Sequence, residues 1–383
     1  MNVKNKQTEL NTIQIIINPL LSKQVIALKE KWQALEAKSS PLFFLSWKWI
    51  GPWLKQVDVS EKLILVQATQ NNQIVGLGVF VEQKVTRYTV LKSTQWFLHR
   101  SGVGSSDQIW IENNNFLTTD ENKELIIESI WQTLLLQHSK VDEFIIAMYH
   151  NTPEQFKLPA SSKYNTTNAY NENGYYLNLK NILSLDDYLS SLSKNTRKQV
   201  KRSYKLLSQL GAYEFLVAED PEKQNQILKK CKQWHIDKWQ RTDTPSGFIN
   251  PSFTSFHHNL MNEVHPTSKT VIANLKVNGE LLGCLYCFID NNCAYFYLSA
   301  FKPIEDNRIK LGLSLHTLFI QWLMENRPGI YKYDFLAGEA RYKKSLSSHQ
   351  DNHSYVVVQK DLIKFKVENS LIQLKNKLKK LFS

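Results

Sequence analysis

The stretch "KYDFLAGEARYKKSL" (residues 332–346) decides how the rest of the sequence is interpreted. A short apolar run, typical of a strand, meets an acid at Asp334; a glycine follows, and then come Glu339, Tyr342 and Lys343. A carboxylate at the exit of a strand is well placed as a general base, and a phenol or an ammonium group can protonate a leaving group. The alternative is a helical segment carrying a surface ion pair between Glu339 and Lys343, which contributes at most about half a kcal/mol.

Length and composition predict a folded protein of two domains. The chain has 383 residues, of which 42% are hydrophobic, and its formal net charge is +12. A domain typically takes roughly 100–200 residues, and this hydrophobic content can fill sizeable cores. The positive charge indicates an anionic partner, such as a nucleic acid, a membrane surface or a phosphorylated ligand, or else a solvated lysine surface.

The sequence also predicts a cytoplasmic protein without a metal site. The N-terminal "MNVKNKQTELN" has no apolar signal core, and no apolar run reaches the roughly 18 residues that a membrane span needs. Cys284 and Cys287 resemble a metal-binding pair, but they lie in the predicted strand "LLGCLYCFID". Residues three apart on a strand point to opposite faces, so we expect buried thiols in a reducing compartment.

The order of predicted elements is repeated in the two halves. The first half alternates strands and helices up to a strand at 142–149, and the polar segment 150–173 predicts a linker. The second half begins with a helix over 184–211 and ends its repeat with a strand at 329–336. The segment "IVGLGVFV" aligns with "LLGCLYCFI", with Gly76 over Gly283, which indicates an internal duplication of one α/β unit.

The junction between the strand at 293–301 and a helix that we expect to start near Arg308 carries a candidate phosphate site. Arg308, Lys310, Gly312 and Ser314 fall there. A helix start offers free N–H groups and a positive dipole end, and glycine allows close backbone approach. The alternative is an ordinary helix start.

Two further segments are strongly basic. Six cations follow helical spacing on one face: Lys194, Arg197, Lys198, Lys201, Arg202 and Lys205. Like charges at this spacing repel, so the face either binds an anion or is a solvated surface. The C-terminal helix has Leu371, Leu374, Leu378 and Leu381 on one stripe with lysines elsewhere. It can lie on an anionic membrane or pack on its own domain.

These motifs together carry a family resemblance. "SKNTRKQVKRSYKLLSQLG", "QWHIDKWQ", "NGELLGCLYCFIDNNCAYFYLSAFKP", "KLGLSLHTLFIQWL" and "YDFLAGEARYKKSL" resemble the GNAT acetyltransferase superfamily. The nearest branch resembles the CelD/BcsL-type (BioF2-like) acetyltransferases, which are similar to FemABX peptidyltransferases. The resemblance is strongest over 185–347, and the run from Asp334 through Gly338 to Lys343 is its most specific part.

The resemblance implies a tandem GNAT-like fold of the α/β (α+β) class, with two mixed sheets each flanked by helices. It implies an N-terminal GNAT-like domain over 1–165 and a C-terminal acyltransferase domain over 166–383. Acyl-CoA would be the cosubstrate, with its thioester between strands around 295–301 and 331–336. We expect only the C-terminal domain to bind it, because only that half has both the cationic helix start and the acid cluster.

The resemblance also implies roles for individual residues. The cofactor-binding residues would be Ser299, Phe301, Arg308, Lys310, Gly312, Leu313 and Ser314. The sequence departs from the family's usual phosphate loop, because Arg308 stands four residues before Gly312 and Ser314 holds the second small position. The acceptor would meet Arg197, Lys198, Arg202 and Trp239. Catalysis would involve Glu339, Asp334, Tyr342 and Lys343.

Three functions follow as hypotheses. The first is an acyl-CoA-dependent N- or O-acyltransferase acting on an amine or sugar hydroxyl of a small molecule or glycan, with polysaccharide or cell-envelope metabolism as a setting. The second is a FemABX-like transferase that uses aminoacyl-tRNA, which would explain the basic charge; no other nucleic acid is expected. The third is a non-catalytic protein that binds nucleic acid or an anionic membrane.

Overall fold

The computed structural model describes residues 12–40, 42–57, 62–150, 156, 158, 162–240, 242 and 244–381. Thirteen strands of these residues form one mixed sheet. The strands are β1 (Gln14–Pro19), β2 (Lys62–Gln70), β3 (Gln73–Arg87), β4 (Leu91–Leu98), β5 (Leu117–Thr118), β6 (Glu143–His150), β7 (Tyr164–Asn178), β8 (Tyr213–Ala218), β9 (Lys269–Val277), β10 (Glu280–Asp290), β11 (Cys293–Phe301), β12 (Lys332–Ala337) and β13 (His349–Lys360). Their order is β1-β2-β3-β4-β6-β13-β7-β12-β11-β10-β9-β8, with β5 beside β3.

Helices cover this sheet. The described α-helices are α1 (Val25–Glu36), α2 (Trp47–Gln56), α3 (Lys123–Gln137), α4 (Leu185–Ser191), α5 (Lys194–Leu210), α6 (Pro221–Trp239), α7 (Pro251–Asn262), α8 (Leu311–Asn326), α9 (Arg341–Leu346) and α10 (Ile363–Leu381). The side chain of Asp220 caps α6, because its carboxylate accepts the Lys223 N–H at 2.9 Å. The single helix predicted over 184–211 is two helices, since the Ser193 hydroxyl caps α5 through the Thr196 N–H.

The two halves of the sheet share one architecture. In the first half, antiparallel β1 to β4 lead to a parallel pair, β4 with β6. In the second half, antiparallel β8 to β11 lead to a parallel pair, β11 with β12. Strands β3 and β10, which carry the aligned Gly76 and Gly283, occupy the same place in each half. The repeated order agrees with the predicted duplication.

The prediction of two separate sheets is wrong, because two long strands join the halves. Strand β7 follows β6 in the chain but pairs with β12, and β13 follows β12 but pairs with β6. The two strands also pair with each other from His349 opposite Tyr176 to Lys360 opposite Tyr164. Each half of the sheet therefore contains a strand that follows the other half in the chain. Because β7 and β13 pair with each other, the sheet is continuous between the two halves. The division at 165/166 stays a prediction, and it falls inside β7.

Part of the predicted linker over 150–173 is also wrong. Residues 164–173 form the first part of β7, whereas 151–155, 157 and 159–161 lie outside the described residues. The Asn-rich sequence of this segment has weak strand preference. Backbone pairing with β13 nevertheless holds the segment as a strand, which is a tertiary effect that local composition does not report.

The core reaches across both halves. On one face of β10, Cys284, Tyr286 and Phe288 pack against the aromatic side chains of the first half, and Phe43 stacks on Phe288 at 4.4 Å. On the other face, Cys287 belongs to the cluster beneath α8. The prediction that the two cysteines are buried on opposite faces is confirmed. This shared core fixes the first half against the candidate site of the second.

Candidate active site

The candidate site is a wedge between β11 and β12. These strands pair only from Cys293 with Lys332 to Tyr295 with Asp334. Beyond this point they diverge and open onto a cavity of about 540 Å³. Because the ladder ends there, the backbone of β11 beyond Tyr295 is free of strand pairing on that edge.

A bulge in β12 produces the divergence. The pairing with β7 shifts between Asp334 and Ala337, and Leu336 within the bulge has a left-handed φ of 60°. The Asp334 carboxylate accepts the Leu336 N–H at 2.8 Å and so holds this unusual conformation. Gly338 follows with φ 127°, where a Cβ atom would lie 2.9 Å from the Lys343 ammonium. The glycine therefore lets Lys343 approach the backbone.

Five residues predicted from the sequence line this cavity together: Ser299, Glu339, Tyr342, Lys343 and Trp239. Glu339 is exposed, and its carboxylate accepts hydrogen bonds from the Asn173 amide and, at 3.3 Å, from the Tyr175 hydroxyl. The alternative interpretation, a helical segment that pairs Glu339 with Lys343, is wrong, since α9 starts at Arg341. Lys343 turns back instead and donates to the carbonyl of Ala337.

Asp334 lies behind the bulge and is 5% exposed. Besides the Leu336 N–H, its carboxylate pairs with the Lys332 ammonium at 2.8 Å. These contacts stabilise the strand exit, so they fit a structural role; a catalytic role for Asp334 stays a prediction.

Several cavity residues were not singled out as candidate site residues in the sequence. The cavity is also lined by Trp110, Glu172, His235 and Lys238. Burial raises the pKa of Glu172, with a further contribution from the Glu339 charge, and burial lowers the pKa of Lys238. Trp110 comes from the first half and Glu172 from β7. No local motif marks them, because strand exchange and long-range packing bring them here.

A further carboxylate from the first half contacts the edge of the wedge. Glu112 accepts the Ala337 N–H at 3.2 Å. Burial raises the pKa of Glu112 to about 8, while the nearby Lys343 charge acts in the opposite direction. Burial likewise lowers the pKa of Lys343. The end of β12 therefore contacts two ionisable groups, Glu112 and Lys343, whose pKa shifts both favour the neutral form.

The predicted phosphate residues gather at the start of α8, which begins at Leu311 rather than near Arg308. Lys310 and Leu313 line a second cavity of about 380 Å³, whose other wall is the start of α5. Tyr342 lines both cavities, so the two adjoin at its ring. Gly312 and Phe301 are in contact there, since a Cβ on Gly312 would meet the Phe301 ring at 3.5 Å.

Two predicted residues of this group have other partners. Arg308 pairs with Asp306 at 2.8 Å, and its hydrogen bonds lower the pKa of Asp306 to about 2. Ser314 is fully buried, and its hydroxyl lies 2.8 Å from that of Ser203 in α5. Their roles in cofactor binding stay predictions.

The basic stripe lies on α5, outside the main cavity. Lys198 and Arg202 are exposed, whereas Arg197 is half-buried and donates to the Ser190 carbonyl at 3.2 Å. The Arg202 charge also contributes to the lowered pKa of Asp306, which places Arg202 near the start of α8. Of the predicted acceptor residues, only Trp239 lines the cleft.

Residues 194–344 match the family model of the acetyltransferase (GNAT) domain. This match covers less than half of the chain, and over that part it confirms the resemblance to the GNAT superfamily that the sequence carries. No curated protein sequence matches the chain significantly. Among the described residues, no helix has the length and apolar character to span a bilayer, and no cluster of three or more His, Cys, Asp or Glu side chains is arranged to hold a metal.

Solved structures resemble the whole chain at low identity. FemX has a TM-score of 0.51 and 11% identity, covering 86% of this chain and 96% of its own. A conserved protein of unknown function from Bacteroides thetaiotaomicron has a TM-score of 0.51 and 10% identity, covering 91% and 100%. A tandem GNAT protein from the clavulanic acid biosynthesis pathway has a TM-score of 0.47 and 9% identity, covering 91% and 99%. At such identities the likeness concerns the fold alone.

Proposed function

We propose that the protein is an acyl-CoA-dependent acyltransferase that transfers an acyl group to an amine or hydroxyl of a small molecule or glycan. The observation that carries this proposal is the wedge between β11 and β12. It opens into a cavity lined by five residues singled out from the sequence, and that cavity adjoins the one at the start of α8 through Tyr342. One cavity can take the acyl group and the acceptor, and the other can take the phosphate-bearing part of the cosubstrate.

The position of each residue in the cleft indicates the step of acyl transfer in which it acts. The acceptor nucleophile attacks the thioester carbonyl, a new acyl–acceptor bond forms, the C–S bond breaks and CoA leaves as its thiol. Unpaired N–H groups on the β11 edge can stabilise the oxyanion. Glu339, exposed in the cleft, accepts the acceptor's proton. Tyr342 lines both cavities, and because burial raises its pKa it stays protonated and can donate a hydrogen bond to the leaving sulfur.

Calorimetry on the full chain with acetyl-CoA and longer acyl-CoAs tests the proposal. Gly312→Glu places a negative charge at the start of α8 without a steric clash, since the nearest atom to an added Cβ lies at 3.5 Å. It should weaken acyl-CoA binding more than about tenfold by repelling the phosphates. Gly329→Glu is the matched control, because an added Cβ there meets open space. If no acyl-CoA binds to the folded protein, the proposal is wrong.

A second candidate function uses aminoacyl-tRNA as donor. The observation that favours it is the exposed cationic face of α5 near the start of α8, together with a net charge of +12. Reversing Lys198, Lys201 and Arg202 to Glu should then abolish tRNA binding and flatten its salt dependence. Binding of tRNA that is tight, salt-dependent and lost in this variant, without affinity for acyl-CoA, would replace the first proposal with this one.

A further inference from the structure

Helix α10 docks on the sheet through only one face. Phe365 is 1% exposed, and Glu368 forms a two-pronged ion pair with Arg87 of β3, with Nε to Oε1 at 2.8 Å. Arg87 also pairs with Glu143 at 2.8 Å. The helix is therefore fixed in place at its first turns, and its orientation is set by buried charges rather than by the apolar stripe seen in the sequence.

The apolar stripe points away from the protein. Ile363, Val367, Leu371 and Leu374 are between 54% and 81% exposed. Their spacing of four, four and three residues places them on one side of the helix. The same spacing continues in the sequence at Leu378 and Leu381, whose side chains lie outside the described residues. A face of this kind is costly to leave in water, so it indicates a binding surface.

A second exposed apolar element lies beside this helix. The turn between β3 and β4 carries Tyr88 and Val90, which are 68% and 80% exposed. The turn adjoins α10 because Arg87, one residue before Tyr88, pairs with Glu368, and because the Lys364 ammonium donates to the Lys92 carbonyl at 2.8 Å. The exposed stripe and the exposed turn thus belong to one region of the surface.

The positive charge of this region indicates that its partner is anionic. Residues 363–381 contain six lysines and a single glutamate, Glu368, whose charge is already paired with Arg87. By helical spacing, Lys364 and Lys375 lie along one side of the stripe and Lys366, which pairs with Asp361 at 2.7 Å, lies along the other. An apolar stripe bordered on both sides by lysines is the pattern of a helix that lies in the interface of a membrane, with its lysines at the headgroups.

We propose that α10 and the β3–β4 turn form a peripheral docking surface for an anionic lipid bilayer. The stripe enters the boundary between headgroups and acyl chains, Tyr88 and Val90 insert beside it, and the flanking lysines contact the anionic headgroups. This inference is independent of the reaction that the cleft performs.

Sedimentation of the full chain with vesicles tests the surface. The protein should bind vesicles made of equal parts phosphatidylglycerol and phosphatidylcholine, and it should bind vesicles of pure phosphatidylcholine much more weakly. Leu371→Asp should reduce binding to the anionic vesicles at least about tenfold, because it places a charge in the apolar boundary. The matched control is Leu183→Asp, since Leu183 is 88% exposed and follows the end of β7 remote from α10. It should bind like the wild type.

A second pair of variants tests the charge without touching the stripe. Lys375→Gln should weaken binding about fivefold, the usual contribution of a lysine near an anionic surface. Lys230→Gln on α6 is exposed but outside the region, and it should have no effect. Both variants change exposed side chains, so their melting temperatures should match that of the wild type.

A fluorescent label tests insertion of the turn directly. The four native cysteines are all buried, so Val90→Cys can be labelled selectively with an environment-sensitive dye. Anionic vesicles should shift its emission to the blue, whereas a label at Leu183→Cys should not respond. Absence of binding, or binding that Leu371→Asp and Lys375→Gln leave unchanged, overturns the proposal. So does a dimer that forms without lipid and is lost in Leu371→Asp, since a second copy would then cover the stripe.

Discussion

The first and second halves of the sheet each contain a wedge, and only one of them is open. Both halves end in a parallel strand pair of three matched positions. Both carry a bulge with a left-handed residue in the second strand, Met148 at φ 54° and Leu336 at φ 60°. In the first half, however, Asn114 fills the gap: its N–H donates to the Met148 carbonyl at 3.1 Å and its amide donates to the Leu98 carbonyl at 2.8 Å. In the second half, the corresponding space is the candidate active site.

This difference between the wedges shows how the two copies of the duplicated unit come to have different roles. The segment that closes the first wedge also forms a wall of the second, since Trp110 lines the cleft and Glu112 accepts the Ala337 N–H. Residues 110–114 therefore close the wedge of the first half and form part of the wall of the wedge in the second half. This supports the expectation that only the second half binds acyl-CoA.

The largest expected effect concerns the open wedge. Glu339→Gln should lower kcat about 10²–10⁴-fold, the usual contribution of a general base, with little change in melting temperature because Glu339 is exposed. The acyl-transfer rate is to be measured with an acceptor found by screening. Glu214→Gln, an exposed acid on β8, is the control and should retain full activity. Normal turnover in Glu339→Gln would remove this residue from the mechanism.

The sequence predicted the open wedge better than the closed one. Short apolar runs and the run from Asp334 to Lys343 are local signals, and they placed β10 to β12 correctly. The exchange of β7 and β13 has no such signal, because it depends on which of two similar edges a strand pairs with. Glu112 and Asn114 were missed for the same reason: their partners lie far away in the chain, in β12 and β6.

The closed wedge should depend on Asn114. Asn114→Ala leaves the Leu98 carbonyl and the buried His99 ring without their side-chain partner, and each orphaned group costs about 1–3 kcal/mol. We expect the free energy of unfolding to fall by about 2–4 kcal/mol. Acyl-CoA affinity should be unchanged, as the second wedge is intact.

Denaturant unfolding measures this loss, and Asn115→Ala is a matched control. Asn115 is half-buried, and its side chain bonds only locally, to the Phe116 N–H at 2.8 Å. Its replacement should cost less than about 1 kcal/mol. Equal effects of the two variants, or a large loss of acyl-CoA affinity in Asn114→Ala, would contradict the assignment of Asn114 to the closed wedge.

The bulge of the open wedge has a carboxylate that the other bulge lacks. Two residues before the left-handed position stands Asp334 in β12, but Ile146 in β6. Asp334→Asn can still accept the Leu336 N–H but loses its charge attraction to Lys332, which is 32% exposed. We expect a loss of about 1–3 kcal/mol in unfolding free energy, less than for a fully buried pair.

The activity of Asp334→Asn should fall less than tenfold if its role is structural. A double-mutant cycle with Lys332→Met measures the pair energy. A fall in kcat of the size expected for Glu339→Gln, with unchanged stability, would instead make Asp334 part of the chemistry.

The last expected effect concerns Glu112, a residue through which the first half contacts the open wedge. Burial raises its pKa to about 8, whereas an unfolded chain ionises a glutamate near pH 4.5. A carboxyl whose pKa is raised in the folded state lowers the stability of the protein once that carboxyl ionises in the unfolded chain. The loss of stability grows with pH until the carboxyl ionises in the folded protein as well.

In the variant Glu112→Gln, the amide mimics the neutral acid and keeps an oxygen that can accept the Ala337 N–H. The stability of Glu112→Gln relative to the wild type should therefore rise between about pH 5 and 8, by at most about 1.4 kcal/mol per pH unit, and be constant above that range. Denaturant unfolding across this range measures the difference, with Glu214→Gln as a control whose curve should run parallel to the wild type. A parallel curve for Glu112→Gln would mean that Glu112 is ionised in the folded protein and paired with Lys343, and the contact between the halves would then be an ion pair.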